Sequence, residues 1–164
     1  MKRLILMRHA KSDWTDLDQT DHGRALNERG RVSAAALGDW LRKNGFQPDH
    51  ILCSDAKRTR ETLDGLKLGD APTSFLKSLY LAEPDVMAGT LHQRSEDCIL
   101  MVAHNPGTAM LAEMLLATAS DHSGFYKYPT GATLVVDFDI MDWRDLRKGT
   151  GKLVQFTVPR DLMK

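Results

Sequence analysis

The sequence predicts an α/β fold in which a mostly parallel sheet is covered on both faces by helices. Three observations carry that expectation. Short apolar runs alternate with segments of helical period along most of the chain, and this alternation builds crossover units and hence parallel strands. Near the end two strand-like runs follow one another with no helical period between them, so the last strand is expected to be an antiparallel edge. The length, 164 residues, suits one domain able to bury a substantial core.

The elements follow in order. "RLILM" (3–7) is a compact apolar strand, and residues 8–28 are polar and loop-like. Asn27 is a plausible N-cap for "ERGRVSAAALGDWLRKN", which sets Val32, Ala36, Leu37, Trp40 and Leu41 on one helical stripe. Gly45 stands where a helix-terminating glycine belongs. "DHILCS" (49–54) is the next strand and "KRTRETLDGLK" the next helix; "TSFLKS" (73–78) is a weaker strand. Glu83-Pro84 opens a further helix, with proline in an acceptable first-turn position. "CILMVA" (98–103) is the most apolar strand, followed by the helical "PGTAMLAEMLLAT". "GATLVVDFD" and "KLVQFTV" close the chain as strands, joined by a polar connection over 139–151. No repeat, linker or low-complexity tract interrupts this order.

Composition narrows the function classes. Lys plus Arg number 22 and Asp plus Glu 22, so no global basic field argues for nucleic acid or an anionic membrane surface. Any anion binding must be local. Cys53 and Cys98 sit in apolar stretches and read as two buried thiols in a reducing cytosol rather than as a disulfide. The opening "MKRLILMRHA" is too short in apolar length for a signal segment. No stretch approaches the ~20 apolar residues of a membrane helix. A soluble, cytoplasmic protein is expected.

In open α/β sheets, sites form beyond the carboxyl ends of the strands. Three such ends carry distinctive residues here: Arg8-His9, then Ser54 with Arg58, then His104-Asn105-Pro106-Gly107 before a helix. Each alone is ordinary: a surface Arg-His pair, a solvated "KRTRE" helix face, a "HNPG" helix entry. Together they would bring two arginines, two histidines and the free N–H groups of a helix start to one mouth, a set that matches a phosphate. The six histidines show no HxH, HxxxH or HExxH spacing, so neither a zinc site nor any other cofactor is expected.

"LMRHA", "CSDAKRTRET" and "VAHNPG", in this order, resemble the signature segments of the histidine phosphatase (phosphoglycerate mutase-like) superfamily. "RHAKSDW", "DHGRALNERGR" and the tail "DWRDL…G…LVQFTVPRDL" resemble its compact SixA-like phosphohistidine phosphatase branch. The resemblance implies a single histidine phosphatase domain over 1–164, a three-layer α/β/α sandwich without a cap domain. It also implies roles: His9 as nucleophile, Arg8 and Arg58 as phosphate ligands, His104 as the second pocket histidine. Ala10 stands where many members have glycine, and Asp55 where a proline is common.

The expected chemistry is in-line attack by a neutral His9 imidazole, giving a covalent phosphohistidine that water hydrolyses. Arg8, Arg58 and a protonated His104 would stabilise the equatorial oxygens without a metal. The substrate would be phosphohistidine, including phosphohistidine borne on a protein, or a related phosphomonoester; no nucleic acid or membrane partner is expected. A broad small-molecule phosphomonoesterase, a phosphoglycerate mutase and a non-catalytic phospholigand-binding module are the alternatives. Glu83 is the nearest positional candidate for the general acid, with a plain helix-start carboxylate as its other reading. Asp13, Asp21 and Asp55 lie in loops that sequence does not rank. Arg24 is read as an exposed loop cation in preference to a pocket residue. Trp14 is read as entrance lining or as an anchor of the first loop, and Trp40 as core. Thr62, four residues after Arg58, either pins that arginine or packs. His22, His50, His92 and His122 are read as surface or loop residues.

Overall fold

A computed structural model describes residues 1–163. Six strands, β1 (Lys2–Arg8), β2 (His50–Ser54), β3 (Thr73–Leu76), β4 (Cys98–Ala103), β5 (Thr133–Phe138) and β6 (Lys152–Thr157), form one sheet in the order β3-β2-β4-β1-β5-β6. The pairs β3–β2, β2–β4 and β4–β1 are parallel; β1–β5 and β5–β6 are antiparallel. The expected antiparallel edge is therefore built of two strands, with β6 outermost. Helices α1 (Glu28–Lys43), α2 (Lys57–Leu66), α3 (Pro84–His92), α4 (Gly107–Leu115) and the short α5 (Pro159–Leu162) complete the chain.

The three layers follow from the period-two alternation of a strand buried on both faces. Along β1, Leu4 and Leu6 join a core with Ile99, Met101, Met87, Leu91, Leu111 and Leu115, on the side of α3 and α4. Ile5 and Met7 point the other way, to Leu100, Val102, Leu37, Leu41 and Leu66 under α1 and α2. At ~25 cal/mol per Å² of apolar area removed from water, such double-sided burial is the main stabilising contribution. Two polar tips are satisfied inside it: the Tyr128 hydroxyl donates to Leu6 O at 2.5 Å and Trp143 Nε1 to Glu96 O at 2.6 Å.

Helix boundaries match their local chemistry. Asn27 caps α1, its side chain accepting from Gly30 N at 2.8 Å. Gly45 terminates it at φ +71°, and Pro84 takes the first turn of α3. The inward face of α1 differs from the expected stripe: Ser33, Ala34, Leu37, Gly38 and Leu41 are buried, Val32 is exposed and Trp40 only half-buried. The reason is close packing, since α1 presents its small residues to α2 and the two backbones approach where Gly38 meets Leu66. Helix α4 ends at Leu115, earlier than its apolar run suggests, because Gly151 pairs with the backbone on either side of Leu116. His50 is not a surface residue; it is buried in β2, its Nε2 2.9 Å from Ser74 Oγ. Cys53 is buried and Cys98 half-buried, both are free, and burial pushes their thiols up to about 12 and about 11. Among the described residues no helix is long and apolar enough to cross a membrane.

A Cβ at residue 38 would lie 2.1 Å from Leu66 O, whereas one at Gly89 in α3 would meet nothing within 4 Å. Gly38→Ala should therefore destabilise the fold by about 1–3 kcal/mol, and Gly89→Ala should leave it unchanged or up to about 1 kcal/mol more stable. Denaturant midpoints at constant m-value measure both.

Candidate active site

The three strand ends do meet. Beyond β1, His9 N–H donates to Ala103 O at 3.1 Å and His9 O accepts from Gly131 N–H at 2.9 Å, so residue 9 is held from both sides. His104 follows Ala103 directly, and the His9 and His104 ring centroids lie 5.3 Å apart. Arg58 enters from the first turn of α2. One turn later, Thr62 Oγ1 donates to Arg58 O at 2.7 Å and accepts from Ala10 N–H at 2.9 Å. Thr62 thus ties the loop that follows His9 to the helix that carries the arginine. Ala10 is fully buried and is not among the residues with positive φ, so its Cβ is accommodated without the backbone freedom of glycine.

His9 Nδ1 lies 2.7 Å from Ala10 O. A carbonyl only accepts, so Nδ1 carries the proton and Nε2 holds a free lone pair. Burial drives the His9 pKa down to about 3, the carbonyl bond of Ala10 opposing and Arg8, Arg58 and Arg24 adding to the fall. His9 is a neutral imidazole at neutral pH. His104 is also lowered to about 3, first by burial, then by His9 and Arg58. Against the expectation of a protonated His104, burial first and the nearby cations after it favour the neutral imidazole.

The loop between β1 and α1 supplies what sequence reasoning undervalued. Asp21 O accepts from Arg58 Nη1 at 2.6 Å, and its carboxylate takes Arg58 Nη2 at 3.1 Å and Arg24 Nη1 at 2.7 Å. The Tyr80 hydroxyl donates to the same carboxylate. Burial raises the Asp21 pKa, but these hydrogen bonds and charges outweigh it and hold the group well below the usual carboxylate range. Arg24 is buried, not an exposed loop cation: Nε donates to Ser12 Oγ at 3.0 Å, and the guanidinium stacks on Trp14 at 3.7 Å. Trp14 therefore lines the entrance and anchors the loop at once. The Asp21–Arg24 spacing of three residues was the legible clue; the chain reversal that buries it was not.

These residues enclose a cavity of ≈ 320 Å³ whose lining includes Arg8, His9, Arg24, Arg58 and His104, with Asp21 as its carboxylate. Glu83 is exposed at the start of α3 and does not line this cavity. Asp13 bonds Thr15 and Asp55 pairs with His22. Among the described residues, the buried side-chain nitrogens without a hydrogen-bond partner are Arg8 Nε, Arg58 Nε and His104 Nδ1. Unmet buried donors each cost about 1–3 kcal/mol, and here all belong to the groups surrounding His9. The arrangement can bind a multivalent oxyanion and present it to a nucleophilic nitrogen.

Comparison with known proteins agrees with the geometry. Residues 4–79 match the model of the histidine phosphatase superfamily (branch 1). An uncharacterized protein of Mycobacterium tuberculosis is 35% identical over 161 residues, covering 94% of this chain and 100% of that protein. The structure of a protein provisionally designated phosphohistidine phosphatase SixA, from Nakamurella multipartitia, superposes with TM-score 0.84 at 25% identity over 96% of both chains. That of the protein histidine phosphatase SixA complexed with tungstate shares the fold at TM-score 0.79 and 18% identity, covering 98% of this chain and 99% of that one.

The two site histidines, with His50 lowered in the same direction by burial, set a pH dependence of stability. Their ordinary value is 6.5 and both fall to about 3 in the folded protein, so between these limits the unfolded chain binds more protons. Stability then rises with pH in that window and is lost as pH falls below about 6.5. Tm should stay level between pH 7 and 8 and drop from pH 6.5 to 5, with a shallower drop in His104→Asn.

Proposed function

This chain belongs to the histidine phosphatase superfamily, in its SixA-like branch, and on that premise we propose that it hydrolyses phosphohistidine through a covalent intermediate on His9. The observation that carries the reading is the set of three unpartnered buried nitrogens, Arg8 Nε, Arg58 Nε and His104 Nδ1, around a neutral imidazole with a free Nε2. In the first step the His9 Nε2 lone pair attacks phosphorus, the N–P bond forms, and the bond to the leaving group breaks. In the second, water attacks phosphorus, the bond to Nε2 breaks, and neutral His9 returns with inorganic phosphate. Arg8, Arg58 and His104 donate to the equatorial oxygens throughout, where charge stabilisation is the main catalytic contribution. Arg8 and Arg58 take the charge-stabilising place a metal would otherwise hold, so the reading is metal-independent.

The leaving group argues for a phosphoramidate. Asp21 is the carboxylate that lines the cavity, and it is spent on Arg24, Arg58 and Tyr80. A carboxylate held ionised in this way is a poor proton donor. An imidazole leaving group needs little enzymic acid, because its distal ring nitrogen takes a proton from water near neutral pH and it departs neutral. An ester oxygen, by contrast, has to be protonated as its bond to phosphorus breaks. Transfer from one histidine to another is also balanced in bond type. The reading takes residues 1–164 as one catalytic domain at work in the cytoplasm, with a phosphorylated protein as its partner.

Three measurements test it. His9→Ala should abolish turnover of a phosphohistidine peptide while inorganic phosphate still binds; parental turnover in that variant would remove His9 as nucleophile. In the parent, kcat/KM for the phosphohistidine peptide should exceed that for an alkyl phosphate, and Glu83→Gln should change neither by more than about twofold. A preference for the alkyl phosphate that collapses in Glu83→Gln would instead identify a broad phosphomonoesterase with Glu83 as acid. Activity should survive EDTA and be inhibited competitively by vanadate; restoration of an EDTA-treated enzyme by a divalent ion would overturn the metal-free scheme.

A further inference from the structure

Ser54 ends β2 and is fully buried, with its hydroxyl 2.8 Å from His104 Nε2. The same hydroxyl oxygen accepts from Ala56 N–H at 3.3 Å. A hydroxyl has one proton to give, and His104 Nε2 is the acceptor within reach of it. If His104 instead donated from Nε2, the buried Ser54 proton would have no acceptor. The Nδ1 of His104 would then present a lone pair to the position where an oxyanion belongs, a repulsive contact. With Ser54 as donor, both groups are satisfied and Nδ1 carries hydrogen.

From this geometry we infer that Ser54 is a positioning residue that fixes His104 in its Nδ1–H tautomer, so that a neutral His104 donates to the phosphoryl group. The role rests on the phosphatase reading above and deepens it. His9 and His104 then share one tautomer and use it in opposite ways. His9 gives its Nδ1–H to the Ala10 carbonyl and frees Nε2 for attack; His104 has its Nε2 occupied by Ser54 and aims Nδ1–H at the substrate oxygen. The buried, unpartnered state of His104 Nδ1 marks the direction of that bond. Around it stand Arg8 and His9 at the end of β1, Arg58 on α2, Asp21 in the first loop and the edge of the Tyr80 ring. Two of these are cations, and a third charge fixed on His104 would add to their repulsion. A neutral donor gives the oxyanion its hydrogen bond without that cost. The positions of Thr59 and Cys53 support Ser54 from behind: Thr59 Oγ1 donates to Ser54 O at 2.7 Å and Cys53 Sγ to the same oxygen at 3.2 Å.

The test reads the tautomer directly. In protein labelled with ¹⁵N-histidine at pH 7.5, and with the His104 signals identified by their loss in His104→Asn, Nδ1 should carry the proton and Nε2 should not. Ser54→Ala should move His104 toward the Nε2–H tautomer and lower kcat for an aryl phosphate about a hundredfold, as expected for loss of one oriented donor; Ser54→Thr, which keeps the hydroxyl, should recover most of it. A parental His104 protonated at Nε2 overturns the inference, as does a folded Ser54→Ala protein with parental kcat. Should Ser54→Ala fail to fold, the parental spectrum decides alone. A parent that hydrolyses no phosphate compound would count against the phosphatase reading, while the spectrum would still decide the tautomer.

Discussion

The parallel pairing of β1 with β4, extended one residue past the strand by the bond from His9 N–H to Ala103 O at 3.1 Å, places the two site histidines side by side. Every other feature of the cavity is arranged around that pair. A backbone register leaves no side-chain freedom in the position of the Cα atoms, so His9 and His104 are set by the same hydrogen bonds that hold the centre of the sheet. With β5 on its other side, β1 is one of the two central strands of the sheet. Residues at the end of a central strand have their backbone positions fixed, and bonds such as His9 Nδ1 to Ala10 O and His104 Nε2 to Ser54 Oγ then set the ring orientations.

The second layer of organisation is electrostatic. Arg8, Arg24 and Arg58 line one small cavity in which, among the described residues, Asp21 supplies the carboxylate. Such a cluster repels itself, and burial together with Arg58 lowers even the Arg8 pKa. Asp21 offsets part of this by bonding Arg24 and Arg58 together and accepting from Tyr80. What remains is an excess of donors facing inward. A multivalent oxyanion matches that set, and the neutral histidines follow first from burial and then from the same cations, since imidazolium would be a further charge in a poorly solvated place. Burial and the cluster of cations thus favour the same neutral imidazole at His9.

Much of the fold could be read locally. The strand and helix alternation, the Asn27 cap, the Gly45 terminator and Pro84 at its helix start all occur where residue chemistry within a few positions demands them. The inward face of α1 could not. Apolar periodicity selected Val32 and Trp40, but backbone contact with α2 at Gly38 turned the small residues inward. His50 was lost for a similar reason, because a strand residue paired with Ser74 across the sheet looks polar and peripheral in the chain.

In the site, the sequence by itself determined the chemistry-bearing residues at three strand ends: Arg8-His9, Arg58 and His104. Their motifs are contiguous, and the α/β topology sends strand ends to one edge. Only the tertiary structure decided that Arg24 and Asp21 belong with them, that Glu83 does not line the cavity, and that His104 is neutral. The reason is physical: Asp21 and Arg58 are brought together by a loop folding over the sheet edge, and protonation depends on burial and on charges from every element that packs nearby. Neither quantity is a property of a short stretch of chain.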